Sequence, residues 1–517
     1  MLGRKKLLVA GLVLVIAGQP SLSHHLEAKG GICDDAGAQL TADEVETILR
    51  RAAAAFDFFN VTVAVVDRPG NVLGVFRKPG ATGADDDLAV SLARTGAFFS
   101  NDQAPLTSRT VRFISGIHFP PGIRDTPNAA LYGIENTNRG CEFNAAFNPG
   151  KLFPRATSVI NVGPCNSANQ TGCGLGITTG KVDNFDSNSK AVNPGGLPIF
   201  RGCTLIGGVG VVIKNGGGAL LPNHAEFAAL SGLVGPPKDP AATFAPPSGT
   251  IFLDGIRLPG VKQKRRPSGT KADVFPPPGG TTIGPFPGIV DPDGYLIGPV
   301  GGSALTVTEV DQIVQQAIDT ANRVRSGIRL PIGLRTRMAI SVADLDGTLL
   351  AVFRMPDATV FSIDVAVAKA RNVIYFSGPD PNVALDLPGV PAGTAVTNRT
   401  ISFGSQPLYP PGIDGSLPGP FFNLFLNDTD HPCSQGSQTL NPENQSGVVF
   451  FPGSTPLYKG GALVGGLGIS GDGVEQDDVV SSGGAQGFLP SPAIRADQVF
   501  IRGVRLPYFK FNRNPFR

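Results

Sequence analysis

Tryptophan is absent from this 517-residue chain, methionine occurs three times and histidine five times. Sites that need several imidazoles are therefore arithmetically scarce. The six cysteines (Cys33, Cys141, Cys165, Cys173, Cys203 and Cys433) form no CxxC and no CxxCH, so the usual signatures of zinc ribbons, thioredoxin-like redox centres and covalent c-type haem are missing. Charge of one sign is missing too: 43 basic residues stand against 41 acidic ones, a net charge of +2. That balance supplies no global field to attract nucleic acid or an anionic membrane, and the expected partners are small molecules or proteins. After the N-terminus no stretch is apolar enough to span a bilayer.

What is abundant is glycine (68) and proline (46), on a background of 41% hydrophobic residues. This is a globular composition with many turns and long ordered loops. Arg4-Lys5-Lys6 precedes an apolar run from Leu7 to Ala17 and a polar stretch to Ser23, the layout of a secretory signal covering about residues 1–28. A secreted or periplasmic destination follows as an expectation, and cysteines suit such an oxidising compartment. Cys165 and Cys173 bracket a polar loop and are disulfide candidates. So are Cys141 and Cys433, which follow equivalent Pro-Pro-Gly-Ile blocks and would approach each other about a pseudo-twofold axis.

Self-comparison is the most informative operation. Val63 to Arg77, with Asp67, Gly70 and Phe76, returns as Ile340 to Arg354, with Asp344, Gly347 and Phe353, and the same offset carries Asp87–Ser100 onto Asp364–Ser377. Ser108-Arg109-Thr110 then pairs with Asn398-Arg399-Thr400, Leu205–Gly210 with Leu463–Gly468, and Gly255–Pro259 with Gly503–Pro507, all in one order. Two tandem modules are expected at 29–260 and 304–517. Each carries a loop insertion, at about 124–196 and 414–453, and the Pro/Gly-rich segment 261–303 is expected to link them.

Thr41 and Thr306 each stand three residues before a glutamate and an apolar stripe, so a capped amphipathic helix should open each module. Val61–Asp67 with Asn71–Lys78, and Met338–Asp344 with Thr348–Met355, read as hairpins, and Leu197–Val212 and Thr455–Ser470 as two further strands each. Asp87–Phe99 and Asp364–Phe376 read as helices. The glycines at 207–210 and their repeats suit close backbone packing against a helix. The fold class is α+β: two tandem two-layer modules, each an antiparallel sheet with helices on one face.

The hairpin V-x-D-x-x-G, the Ala368-Lys369-Ala370 helix ending, and Gly465-Gly466-Leu467-Gly468-Ile469-Ser470-Gly471 followed by Gln476-Asp477-Asp478 resemble the GlcG-like haem-binding family. The resemblance implies a profilin-like α/β fold and haem as the cofactor. It covers about half of the chain and is stronger in the second module. In the first, Leu92 stands in place of Lys369 and Val212 in place of Ser470.

Candidate cofactor-binding residues are His118, Arg77, Arg354, Lys369 and Tyr409. His118, in an apolar neighbourhood, is the candidate haem-iron ligand. A structural role is the alternative for each, and Arg77 with Asp67, or Arg354 with Asp344, are expected to pair across their hairpins. Asp344-Leu-Asp346-Gly347 and Asp291-Pro-Asp293-Gly294 are more economically turns than calcium loops. No nucleophile, base and acid are paired in the sequence. The expected function is a non-enzymatic exported protein binding haem or a related small molecule; the alternatives are an envelope structural or interaction protein without cofactor, and a haem-modifying enzyme. A homo-oligomer or envelope protein partner fits either binding reading.

Overall fold

The computed structural model describes residues 39–57, 60–120, 122–126, 129–134, 192–234, 243–247, 249–261, 280–285, 291, 293–431, 434–441 and 444–516. The first half runs α1 (Ala42–Ala54), β1 (Val61–Asp67), β2 (Val72–Arg77), α2 (Ala84–Phe99), α3 (Ser108–Ile114), β3 (Gly196–Arg201), β4 (Thr204–Ile213), α4 (Pro222–Leu233), β5 (Phe252–Leu253) and β6 (Ile256–Arg257). Then come β7 (Thr281–Ile283) and β8 (Gly294–Ile297). The second half runs α5 (Val307–Ala321), β9 (Met338–Ala343), β10 (Leu349–Arg354), α6 (Ser362–Ser377), α7 (Val383–Asp386), α8 (Asn398–Gly404), α9 (Phe422–Asp430), β11 (Ser454–Lys459), β12 (Ala462–Gly471), α10 (Val474–Gly484), β13 (Phe500–Ile501) and β14 (Val504–Arg505).

The result is a mixed α+β molecule with two five-stranded antiparallel sheets, ordered β3-β4-β1-β2-β7 and β11-β12-β9-β10-β8. Capping boxes open α1 and α5, with Thr41 and Thr306 accepting from the backbone of Glu44 and Glu309. The segment 261–303, expected to be a linker, adds an edge strand to each sheet: β7 pairs with β2, and β8 with β10.

The expectation of helices on one face of each sheet is corrected by the packing. Val61, Val63 and Val65 of β1 share a core with α1 and α4, whereas Ala64 and Val66 share another with α2. In the second sheet Ile340 and Val342 pack with α5 and α10, and Ala339 and Ala343 with α6. The strands are buried on both faces because each carries apolar residues in both registers. The helices that complete the third layer, α4 and α10, follow the last long strand of each sheet.

Glycines set how near α2 and α6 approach. A Cβ at Gly208 or Gly210 would lie 2.0 Å from the carbonyl oxygen of Ala93 or Ala89, and one at Gly468 2.0 Å from that of Ala366. The α2 side of the first sheet and the α6 side of the second merge into one apolar cluster. Phe99 and Phe361 stack across the junction with centroids 4.2 Å apart, and Leu330 N–H donates to the Gln103 carbonyl at 3.1 Å. Arg68, at the β1–β2 turn, meets Asp357 at 2.6 Å and Asp291 at 3.2 Å. Arg329 joins Asp357 to the fully buried Asp472.

Candidate functional site

Where the two halves meet, a concavity of about 550 Å³, part of it open to solvent, is walled by Phe99, Phe361, Phe451, Leu106 and Leu258. Its polar edge comes from the end of β12 and the start of α10: Ser470, Gly471, Gly473 and Asp477. The innermost free space is about 50 Å³, so a ligand larger than a few atoms enters by parting the phenylalanines. That free space is well below the ~300–1,000 Å³ of small-molecule and cofactor sites.

Behind this edge lies Lys369, fully buried on α6. Its Nζ donates to the Ile469 carbonyl at 2.7 Å and to Asp477 Oδ2 at 3.0 Å, and sits 4.9 Å from the centroid of Phe451. Burial holds the Lys369 ammonium below its ordinary pKa, with Asp477 opposing that shift. Burial likewise pushes the Asp477 carboxyl up to about 7, against the pull of Lys369 and with help from neighbouring Asp478 and Asp472. Both shifts express one cause, the loss of water around paired charges. Asp477 Oδ1 is buried with no hydrogen-bond partner. Asp477 is the one carboxylate among the described lining residues, and this oxygen is left to receive a donor or cation.

Hydroxyls continue the polar edge. Ser470 Oγ lies 3.2 Å from Ser362 Oγ, which lies 2.6 Å from Thr359 Oγ1. Below, Arg399 of α8 pairs with buried Asp478 of α10. The first half repeats that contact in Arg109 and Glu226, whose Nε and Oε1 are 2.7 Å apart. It does not repeat the lysine pair. Leu92 and Ala225 line the equivalent first-half pocket, which has only about 10 Å³ of inner space and no charged lining residue among those described.

Of the residues singled out from sequence, Lys369 is at this site and four are elsewhere. His118 follows α3 and its Nε2 lies 2.9 Å from Asp414 Oδ1, a contact that bridges the two halves. Tyr409 is buried, its hydroxyl donating to the Ile501 carbonyl at 3.3 Å, and burial raises its pKa. Arg77 pairs with Asp86 at 3.3 Å. Arg354, 1% exposed, pairs with Asp291 and donates to the Ala358 carbonyl.

The expected hairpin pairings are thereby corrected. Strand register puts Arg77 opposite Thr62 and Arg354 opposite Ala339, at the far hairpin end from Asp67 and Asp344. Asp67 accepts instead from Asn71, and Asp344 from Ser303. Asp291 and Asp344 thus serve ion pairs and turns, and no group of three or more His, Cys, Asp or Glu among the described residues is placed to hold a metal ion. The disulfide candidates Cys141, Cys165, Cys173 and Cys433, and residues 1–28, lie outside the described residues. Asp477 was legible only as part of a motif; Phe99, Phe361 and Phe451 carried no sequence signal beyond being apolar.

A family model described as "Haem degrading protein HbpS-like" matches residues 326–486. Corrinoid adenosyltransferase PduO of Salmonella typhimurium is 27% identical over 174 residues, covering 34% of this chain and 36% of that protein. Its Citrobacter freundii counterpart is 28% identical over the same span and coverage. The chain thus spans about a third of the length of the curated relatives it matches. Among solved structures, a PduOC–haem complex shows 24% identity and a TM-score of 0.23, with 36% of this chain and 95% of that one covered. A double mutant of Streptomyces reticuli HbpS shows 19% identity and a TM-score of 0.21, with 36% and 88% covered.

Proposed function

We propose, from the premise that residues 326–486 are a domain of the HbpS-like, GlcG-like haem-binding family, that this chain binds haem or a closely related flat ligand at the junction of its halves. The observation that carries the reading is the pocket itself: phenylalanine walls around a buried carboxylate whose Oδ1 has no hydrogen-bond partner. The residues fit the group in kind. Phe99, Phe361 and Phe451 would hold an apolar macrocycle, and Asp477, oriented by Lys369, would meet its polar or metal centre. Haem when bound supplies a redox-active, Lewis-acidic iron. The protein's own contribution is to exclude water, to fix the Asp477 carboxylate and to keep the Lys369 ammonium within 3.0 Å of it.

Two further parts of the reading concern the whole chain. Residues 29–260 are a diverged copy of 304–517 that has given up the polar site; identical strand orders support this. So does the Arg94 Nε bond to the Gly70 carbonyl (2.9 Å), matched by Arg371 Nε to Gly347 (2.8 Å). The protein is exported, which the N-terminal basic and apolar segment and the disulfide-bonded state of Cys203 support.

Haem titration of the purified chain tests the ligand. A saturable Soret shift at micromolar haem, weakened in Asp477→Asn, is expected. An unchanged spectrum at micromolar haem overturns the reading, and loss of the bound spectrum with reductant and oxygen would instead mark a haem-degrading enzyme.

A further inference from the structure

The first half holds a second cavity, with about 240 Å³ of inner free space against about 50 Å³ at the junction, lined by Leu106, Leu230, Pro246, Ile251, Leu258 and Gly260. Its frame recurs in the second half. Thr110 Oγ1 donates to the Pro259 carbonyl at 2.6 Å and Thr107 Oγ1 to that of Gly260 at 3.4 Å. Thr400 Oγ1 donates to Pro507 and Thr397 Oγ1 to Tyr508, each at 2.6 Å. Gly260 therefore stands where Tyr508 stands.

In the second half that space is filled. Tyr508 is 2% exposed and shares an apolar cluster with Val396 and Leu506, the counterparts of Leu106 and Leu258. The Arg495 guanidinium lies 5.2 Å from its ring centroid, carried on the two 3-10 turns Pro492–Ile494 and Ala496–Gln498. Among the described residues the first half has neither the ring nor the cover. Phe244 and Ile251 are the counterparts of Phe488 and Val499, by matching backbone bonds from Phe200 and Tyr458 and from Leu258 and Leu506, and the stretch joining the first two residues is the shorter. A Cβ at Gly260 would meet nothing within 4 Å.

We propose that this cleft is a binding site for one small neutral aromatic compound, of benzene to indole size, which takes the place that Tyr508 occupies internally in the other half. Apolar cavities of ~150 Å³ already accept benzene. The Tyr508 hydroxyl has no hydrogen-bond partner where it is buried, so the frame selects a flat ring and does not require a polar substituent. The site is separate from the haem-class pocket, though Leu106 and Leu258 line both.

The test uses the full chain with toluene and indole as probes, followed by calorimetry and by thermal unfolding. Saturable binding of one equivalent and a raised unfolding temperature are expected for the wild type. Gly260→Tyr should abolish both, and Ala245→Phe, at another lining position, gives the same reading should the first variant fail to fold. Haem titration of either variant stays as in the wild type, so the two sites fail separately. Absence of saturable binding in the wild type overturns the proposal. So does binding that survives both substitutions.

Discussion

Lys369 and Asp477 are a buried ion pair whose counterparts in the first half are Leu92 and Ala225. Removing one partner of such a pair leaves a bare charge in an apolar place, whereas removing both leaves none. Lys369→Leu alone should cost about 3–5 kcal/mol at pH 8, and Lys369→Leu with Asp477→Ala should recover most of that; urea denaturation of the four-member cycle decides. Because the folded Asp477 carboxyl is raised to about 7 from an ordinary 3.8, the folded state binds its proton more tightly. Its contribution to stability is fully present below pH 4 and is lost as pH rises through 7. The wild type should therefore lose stability relative to the double variant between pH 4 and 8, and a cycle in which that difference is flat contradicts the raised carboxyl. Lys369 was legible from its place in a motif. So was Asp477, but their pairing was not, since the contact spans 108 positions and depends on how α10 lies against α6.

At the scale of elements, the capping boxes and hairpins were plain in the sequence because their signals are local. Thr306→Ala should cost about 1 kcal/mol, read from chemical denaturation. The glycine run of β12 was equally legible, and its test is harsher. With a Cβ 2.0 Å from the Ala366 carbonyl, Gly468→Ala must push α6 off the sheet and should cost about 1–3 kcal/mol or more. Helices α4 and α10 escaped detection: α4 mixes alanine, glycine and serine with buried Glu226, and α10 mixes valine, serine and glycine with buried Glu475, Asp477 and Asp478, so neither shows a clear apolar stripe. The clue to a covered second face was present in Val61–Val66, an almost unbroken apolar run, which alternation-based reading assigns too readily to a sheet with one wet face. The arginine partners were misjudged for a geometric reason, since strand register sets Arg77 and Arg354 at the far hairpin end from Asp67 and Asp344, whose carboxylates accept from Asn71 and Ser303 instead.

For the whole molecule, a single apolar cluster spans both halves, and the Phe99–Phe361 stack lies at its seam. Phe361→Ala should cost about 3–5 kcal/mol, and calorimetry should still show one unfolding transition, because neither half keeps its α2 or α6 side covered alone. Two well-separated transitions in the wild type would mean that the halves fold independently. Which faces of the two halves meet was not readable from sequence, because an apolar helix face looks the same whether it is covered by its own sheet or by a neighbour.

The segment between the halves enters the first sheet as β7 and the second as β8, with Lys262, Lys264, Arg265 and Arg266 just ahead of it in the chain. A trypsin-like cut at those basic residues would sever the backbone upstream of both edge strands, so the C-terminal fragment would still thread β7 into its neighbour's sheet. The clipped protein should run as two bands on a denaturing gel and as one species on a sizing column, a clasped pair made from a single gene product.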